Sequence, residues 1–211
     1  MNINRQNLIP CQILYTLACA ILLAGCSGIL PAPHVETPHI YVLDARAPVK
    51  TAQIKRNLVL AVSMPRARPG FDTSQMTYLL QPHELDHFAV NQWADTPARM
   101  LEPLLVQALE QTQSFRTIVQ SNGMVPANIR LDTELIRLQQ DFGTKPSKVQ
   151  LTLRAQLVDL TGKRVLAVKL FDETENAPSD DAYGGVVAAN RALQRVLVQL
   201  ADFCVNESVS Q

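Results

Sequence analysis

The chain has 211 residues, with 19 Lys and Arg against 19 Asp and Glu and no net formal charge at pH 7. That balance lacks the basic excess with which a nucleic-acid binder holds phosphates, so nucleic acid is excluded as a partner. Hydrophobic residues make up 47% of the sequence, which is enough for a packed core, and the length suits a single domain.

The first element is a signal. Arg5 is the only charged residue before Cys26, and Ile13 to Leu23 is a nearly unbroken apolar run. A run of that length falls short of the roughly 20 apolar residues needed to span a bilayer, and small residues at its end mark a processing site. It closes on Leu22-Leu23-Ala24-Gly25-Cys26-Ser27, which reads as a lipobox: an aliphatic residue, two small residues, then Cys. On that reading the Cys26 thiol takes a diacylglyceryl thioether, the bond before it is cut, and the new amine is acylated with a chain such as palmitate. The alternatives are an ordinary secretory signal that contains a cysteine and an uncut membrane anchor. Ser27 follows the cysteine. In lipoproteins of Gram-negative bacteria, the absence of Asp there favours the outer membrane, facing the periplasm. The expected boundaries are 1–25 for the signal peptide, 26–40 for the lipidated N-terminus and tether, 41–205 for the domain and 206–211 for a tail.

Cys11 and Cys19 leave with the signal, Cys26 is consumed by lipid, and Cys204 stands alone. No disulfide can then form within one chain. Cys204 lies one helical turn from Leu200 and reads as a buried apolar thiol. Residues 27–39, with Pro31, Pro33 and Pro38, read as an extended tether.

The folded part is expected to start near Tyr41. Leu58 to Val62 is a short apolar run that reads as a buried strand, and Pro65, Pro69 and Gly70 mark a loop. Gln75–Leu80 and Leu85–Val90 are candidate strands. Asp95-Thr96-Pro97 signals a helix start, with a capping residue followed by Pro at the first helical position. Met100, Leu101, Leu104, Leu105, Ala108 and Leu109 then recur at helical spacing. Pro103 conflicts with that pattern, because a mid-helix proline costs about 3 kcal/mol. Either the helix kinks there or its regular part begins near Glu102.

Further on, Ile129, Leu131 and Leu135 occupy odd positions, whereas Ile136 and Leu138 shift the apolar set to even ones. One inserted residue near Leu135 would do this, so a β-bulge or a strand break is expected. From Lys148 to Leu157 the alternation is without error: Val149, Leu151, Leu153, Ala155 and Leu157 against Lys148, Gln150, Thr152, Arg154 and Gln156. One face should be buried and the other solvated. Gly162 marks a turn and Val165 to Phe171 returns, which predicts a hairpin.

The last element runs from about Asp181 to Cys204. Val186, Ala189, Leu193, Val196, Leu200 and Phe203 trace one stripe, and Arg191, Gln194, Arg195 and Gln199 fall largely opposite. The stripe predicts packing on the sheet, and two Arg are few for a membrane-surface helix. Asp180-Asp181 should cap it, and Gly184-Gly185 reads as a close-packing or hinge feature rather than an anion site. Asp172, Glu173 and Glu175 read as a solvated strand end rather than a Ca²⁺ site. The elements together predict an α+β fold, a largely antiparallel sheet with two main helices packed on one face.

His83-Glu84-Leu85-Asp86-His87 satisfies H-E-x-x-H. Two His one helical turn apart can bind Zn²⁺ while the Glu activates the metal-bound water. The motif needs a helix and a third ligand, and neither Glu102 nor Glu110 has a spacing argument behind it. As a strand, His83 and His87 would share a face and Glu84 would point away. No nucleophile elbow, phosphate loop, dinucleotide fingerprint or C-x-x-C is present, so no catalytic residue, metal or cofactor is assigned.

The series is completed by Tyr41-Val42-Leu43, Pro69-Gly70-Phe71-Asp72, Met76-Thr77-Tyr78, the stretch from Glu84 through Trp93-Ala94-Asp95-Thr96-Pro97, and Ala188-Ala189-Asn190-Arg191-Ala192-Leu193. With the lipobox and tether, this resembles the ABC-type transport auxiliary lipoprotein family over nearly the whole mature chain. In that family the segment from His83 to Trp93 is usually aromatic-rich, and His87-Phe88 occupy its paired aromatic positions. The resemblance therefore implies that His83 and His87 fit the zinc motif by accident. It further implies a non-enzymatic accessory of an ABC system, partnered by a permease, an ATPase and a mammalian-cell-entry-domain protein, with lipid or another hydrophobic molecule as cargo. A homo-oligomer is left open. The alternatives are an envelope lipoprotein that scaffolds partners without lipid contact, and a zinc hydrolase using His83, Glu84 and His87.

Overall fold

The computed structural model describes residues 36–52, 55–121 and 125–208. Cys26, the lipobox and most of the tether lie outside the described residues. The unit from Thr37 onward contains a sheet of nine strands and two helices. They follow one another as β1 (His39–Tyr41), β2 (Val59–Val62), β3 (Arg66–Ala67), β4 (Gln75–Leu79), β5 (Leu85–Trp93), α1 (Pro97–Gln111), β6 (Thr117–Gln120), β7 (Ile129–Asp141), β8 (Lys148–Asp159), β9 (Arg164–Asn176) and α2 (Ala182–Glu207). The fold is α+β, as the alternation and the two helical stripes predict.

β7 is the spine. β8 runs antiparallel along one edge over its whole length, and β9 runs antiparallel on β8. Along the other edge of β7, three short strands dock in turn and in parallel: Leu60 opposite Ile129, Arg66 opposite Glu134, and Tyr78 opposite Gln140. β6 adds in parallel to β2, β5 antiparallel to β4, and β1 in parallel to β5. The long hairpins make the sheet mostly antiparallel. The parallel contacts have no sequence signature, because their partners lie far apart in the chain.

The parity slip near Leu135 is a bulge. Leu135 stands opposite Leu153 and Arg137 opposite Thr152, so Ile136 is the extra residue and the strand continues through it. Up to Leu135 the odd positions of β7 are buried; beyond it Leu138, Gln139 and Gln140 are. On β8, Val149, Leu151, Leu153, Ala155 and Leu157 all lie in the core. The same core takes Leu101, Leu105 and Leu109 of α1 and the predicted stripe of α2. Phe171 of β9 meets Phe203 edge-on, with ring centroids 6.0 Å apart. Cys204 is fully buried, and burial pushes its thiol far above the usual range. It is inert packing, as expected.

α1 overrides its proline. It runs unbroken from Pro97 to Gln111 with Pro103 inside, and does not begin at Glu102. Both Pro103 and Arg99, whose carbonyl loses its usual donor, are on the exposed side, so water can satisfy the freed oxygen. The N-terminal cap is Thr96, but its side chain makes no cap bond; Asp95 instead accepts from the Thr96 N–H at 2.7 Å.

At α2 the two aspartates divide their labour, which corrects the expectation that both cap the helix. Asp181 accepts from the Gly184 N–H at 2.6 Å, while Asp180 accepts from the Ser147 N–H at 2.6 Å and ties the β7–β8 turn to the helix start. That backbone donor holds the Asp180 carboxyl below its ordinary range. The glycine pair is a close-packing device. A Cβ on Gly184 would fall 2.1 Å from the Ser179 carbonyl oxygen, and one on Gly185 2.2 Å from Oε1 of Gln140.

Candidate functional site

The H-E-x-x-H segment has the wrong backbone for a zinc peptidase. Leu85–Trp93 is a strand, and His83 precedes it in a turn with φ of 70°. His83 and His87 therefore share neither a helical face nor the single strand that would have aligned them. Glu84 accepts from the Gln81 side chain. Asp86, inside the motif, accepts from the His87 N–H and from the Tyr78 hydroxyl at 3.0 Å, and these two donors lower its pKa. The same bond raises Tyr78. Among the described residues, no group of three or more His, Cys, Asp or Glu could hold a metal.

The polar side of α2 is occupied rather than simply solvated. Arg195 pairs with Glu173 at 2.7 Å and Glu175 at 2.8 Å, and Gln199 donates to Glu173 at 2.6 Å. Arg191 reaches Glu175 at 3.7 Å. The acidic end of β9 is thereby clamped to the helix, and Glu173 raises the Arg195 pKa further. One turn away, Asn190 accepts from the Asp44 N–H at 2.8 Å and donates to the Val42 carbonyl at 3.2 Å; Gln194 donates to the Arg46 carbonyl at 2.8 Å. These amides stand in for a neighbouring strand. They hold residues 42–47 extended while Leu43, Ala45 and Ala47 alternate into the core. This strap begins where the domain leaves β1, at the end nearest Cys26 in the chain. Asn190 belongs to the Ala188–Leu193 motif, but its role was not readable there, since its backbone partners lie nearly 150 residues away.

The sheet face turned away from the helices carries a cleft of about 860 Å³. Its floor is polar. Arg137 donates to Thr152 and, at 3.1 Å, to Asp172; Gln139 donates to Gln150 at 3.0 Å; Asp141 accepts from the Gly143 N–H at 2.8 Å. Gln139 and Thr152 are only 8% and 4% exposed. Its other wall is apolar, built from Phe71, Ile136 and the directly paired Leu79 and Leu85. Two unusual backbone positions shape that wall. Gly70, at φ +91°, lets the loop fold close over Leu85, and His83 turns the β4–β5 connection into the rim. Because of the bulge, Ile136 and Arg137 both face this side, so one apolar and one cationic group lie next to each other. The sequence showed the bulge but not the cleft, whose leucines fell in two separate candidate strands.

No described helix is long and apolar enough to cross a membrane. No curated protein matches the sequence. Among solved structures, the fold is similar to that of protein XCC0632 from Xanthomonas campestris, with a TM-score of 0.75 and 22% identity over 81% of this chain and 96% of that one. A second similar structure, of an uncharacterised protein, gives a TM-score of 0.61 and 15% identity over 82% of this chain and 99% of that one. At such identities the likeness is one of fold. The sequence model of the ABC-type transport auxiliary lipoprotein component matches residues 41–201, a span that holds the strap, the clamp and the cleft, and the chain belongs to that family.

Proposed function

We propose that this chain is a periplasm-facing outer-membrane lipoprotein, acylated on Cys26, that serves as the non-enzymatic accessory subunit of an ABC system moving lipid between membranes. Its partners on this reading are the permease, the ATPase and a mammalian-cell-entry-domain protein of the same system. The observation that carries it is the family match over residues 41–201, with the Leu-Ala-Gly-Cys sequence ending at Cys26 as support for the anchor. The strand geometry of the His83–His87 segment favours an accessory over a zinc hydrolase. Replacing Cys26 tests the anchor: Cys26→Ala should abolish palmitate labelling and outer-membrane retention while the circular dichroism of the domain stays unchanged. Continued labelling would refute acylation at this residue. The system is tested by co-purification of the intact chain with a permease, an ATPase and a mammalian-cell-entry-domain protein from detergent-solubilised envelopes. Failure to recover any of them would refute the accessory role.

A further inference from the structure

We infer that the cleft on the outer face of the sheet binds an extended peptide segment of a partner protein, with an acidic residue, an apolar residue and a basic residue at alternating positions. The cleft has the size of a ligand site and combines an apolar wall with a few placed polar groups. Its floor decides between occupants. An acyl chain laid there would strip water from Arg137, Asp141 and Gln150, which are half-exposed, and return no hydrogen bonds, which is costly. A peptide carries donors and acceptors along its whole length.

The spacing also fits a peptide. Arg137, Gln139 and Asp141 project from one face of β7 at two-residue intervals, about 6.6 Å apart, the repeat of any extended chain. Arg137 and Asp141, the two charged side chains of the lining, therefore stand about 13 Å apart. An extended segment lying along them meets a cation at one end and an anion at the other. Leu79 pairs with Asp141, Leu85 pairs with Leu79, and Ile136 adjoins Arg137, so apolar surface borders both ends and the middle side chain of such a segment lies between them. The Nε and Nη2 atoms of Arg137 serve Thr152 and Asp172, and the planar fork keeps further donors for an incoming carboxylate. This deepens the accessory reading, on which it rests only for the existence of a partner.

The test uses the chain from Ser27 to Gln211, which contains the whole core between Leu43 and Cys204. Fluorescence anisotropy is read with capped, labelled peptides Glu-Thr-Leu-Thr-Lys, Glu-Thr-Leu-Thr-Glu and Lys-Thr-Leu-Thr-Lys. These patterns discriminate whichever way the peptide runs. The mixed peptide should bind about tenfold tighter than either of the others. Asp141→Lys should move the preference to the doubly acidic peptide and Arg137→Glu to the doubly basic one, while Leu85→Ser should weaken all three about tenfold. Asp141→Lys leaves the contact between Arg137 and Asp172 in place, so it reports even if Arg137→Glu disturbs folding. Equal binding of the three peptides, preferences that ignore the charge swaps, or Leu85-dependent uptake of dodecanoate in their place would each overturn the inference. Those results leave Cys26 labelling and co-purification untouched, so the two readings fail separately.

Discussion

Leu153 and Arg154 are neighbours on β8 and opposites in environment. Leu153 is fully buried between the sheet and the helices. Arg154 stands on the outer face and donates to Gln156. The inner face is largely apolar and closed by two helices; the outer face is a lattice of paired polar side chains broken by the apolar wall of the cleft and by Val168 and Leu170 of β9. An outer face that served only solubility would have no need of that wall, of the Gly70 and His83 backbone, or of an isoleucine inserted by a bulge. The contrast separates what holds the domain together from what it offers to other molecules.

The largest test of that contrast is truncation on the inner face. Leu153→Ala should cost about 3 kcal/mol of unfolding free energy in chemical denaturation, whereas Arg154→Ala should stay within about 0.5 kcal/mol. Comparable losses would erase the distinction between the faces. Next comes the seat of α2. Gly184→Ala forces a Cβ against the Ser179 carbonyl and should cost about 2 kcal/mol, visible as a lowered Tm. Asn190→Ala removes both bonds to the strap and should cost about 1 kcal/mol, with faster amide exchange at Asp44 and little change in β8.

The smallest effect concerns pH. The Gly162 N–H and then Arg164 hold the Asp159 carboxyl below its usual range. The stabilisation is therefore present above the ordinary carboxylate pKa of about 3.9 and is lost as pH falls through the depressed folded value. Asp159→Asn should flatten the acid limb of the stability profile while leaving the slope near neutrality unchanged.

Legibility followed locality. β8 was readable to the residue because one buried face imposes period two, and the bulge at Ile136 because it breaks that period. Asp181 as a cap and the α2 stripe were equally local. Pro103 misled because the cost of a proline depends on which side of the helix it faces. The parallel docking of β2, β3 and β4 on β7, the strap and the cleft were invisible, since each joins residues with no regular spacing. Cys26 is a motif rather than a geometry, and lies outside the described residues.

The strap has a mechanical consequence. A load applied at Thr37 reaches β1 first, then the two bonds of Asn190, then that of Gln194, before it meets α2 and the β7–β9 hairpins. These attachments yield in series. Releasing residues 39–47 would lengthen the leash by about 30 Å at the cost of exposing Leu43, Ala45 and Ala47. The domain thus carries a reserve of reach that its folded outline hides, held in by the β1 ladder, the Asn190 and Gln194 bonds and the burial of Leu43, Ala45 and Ala47.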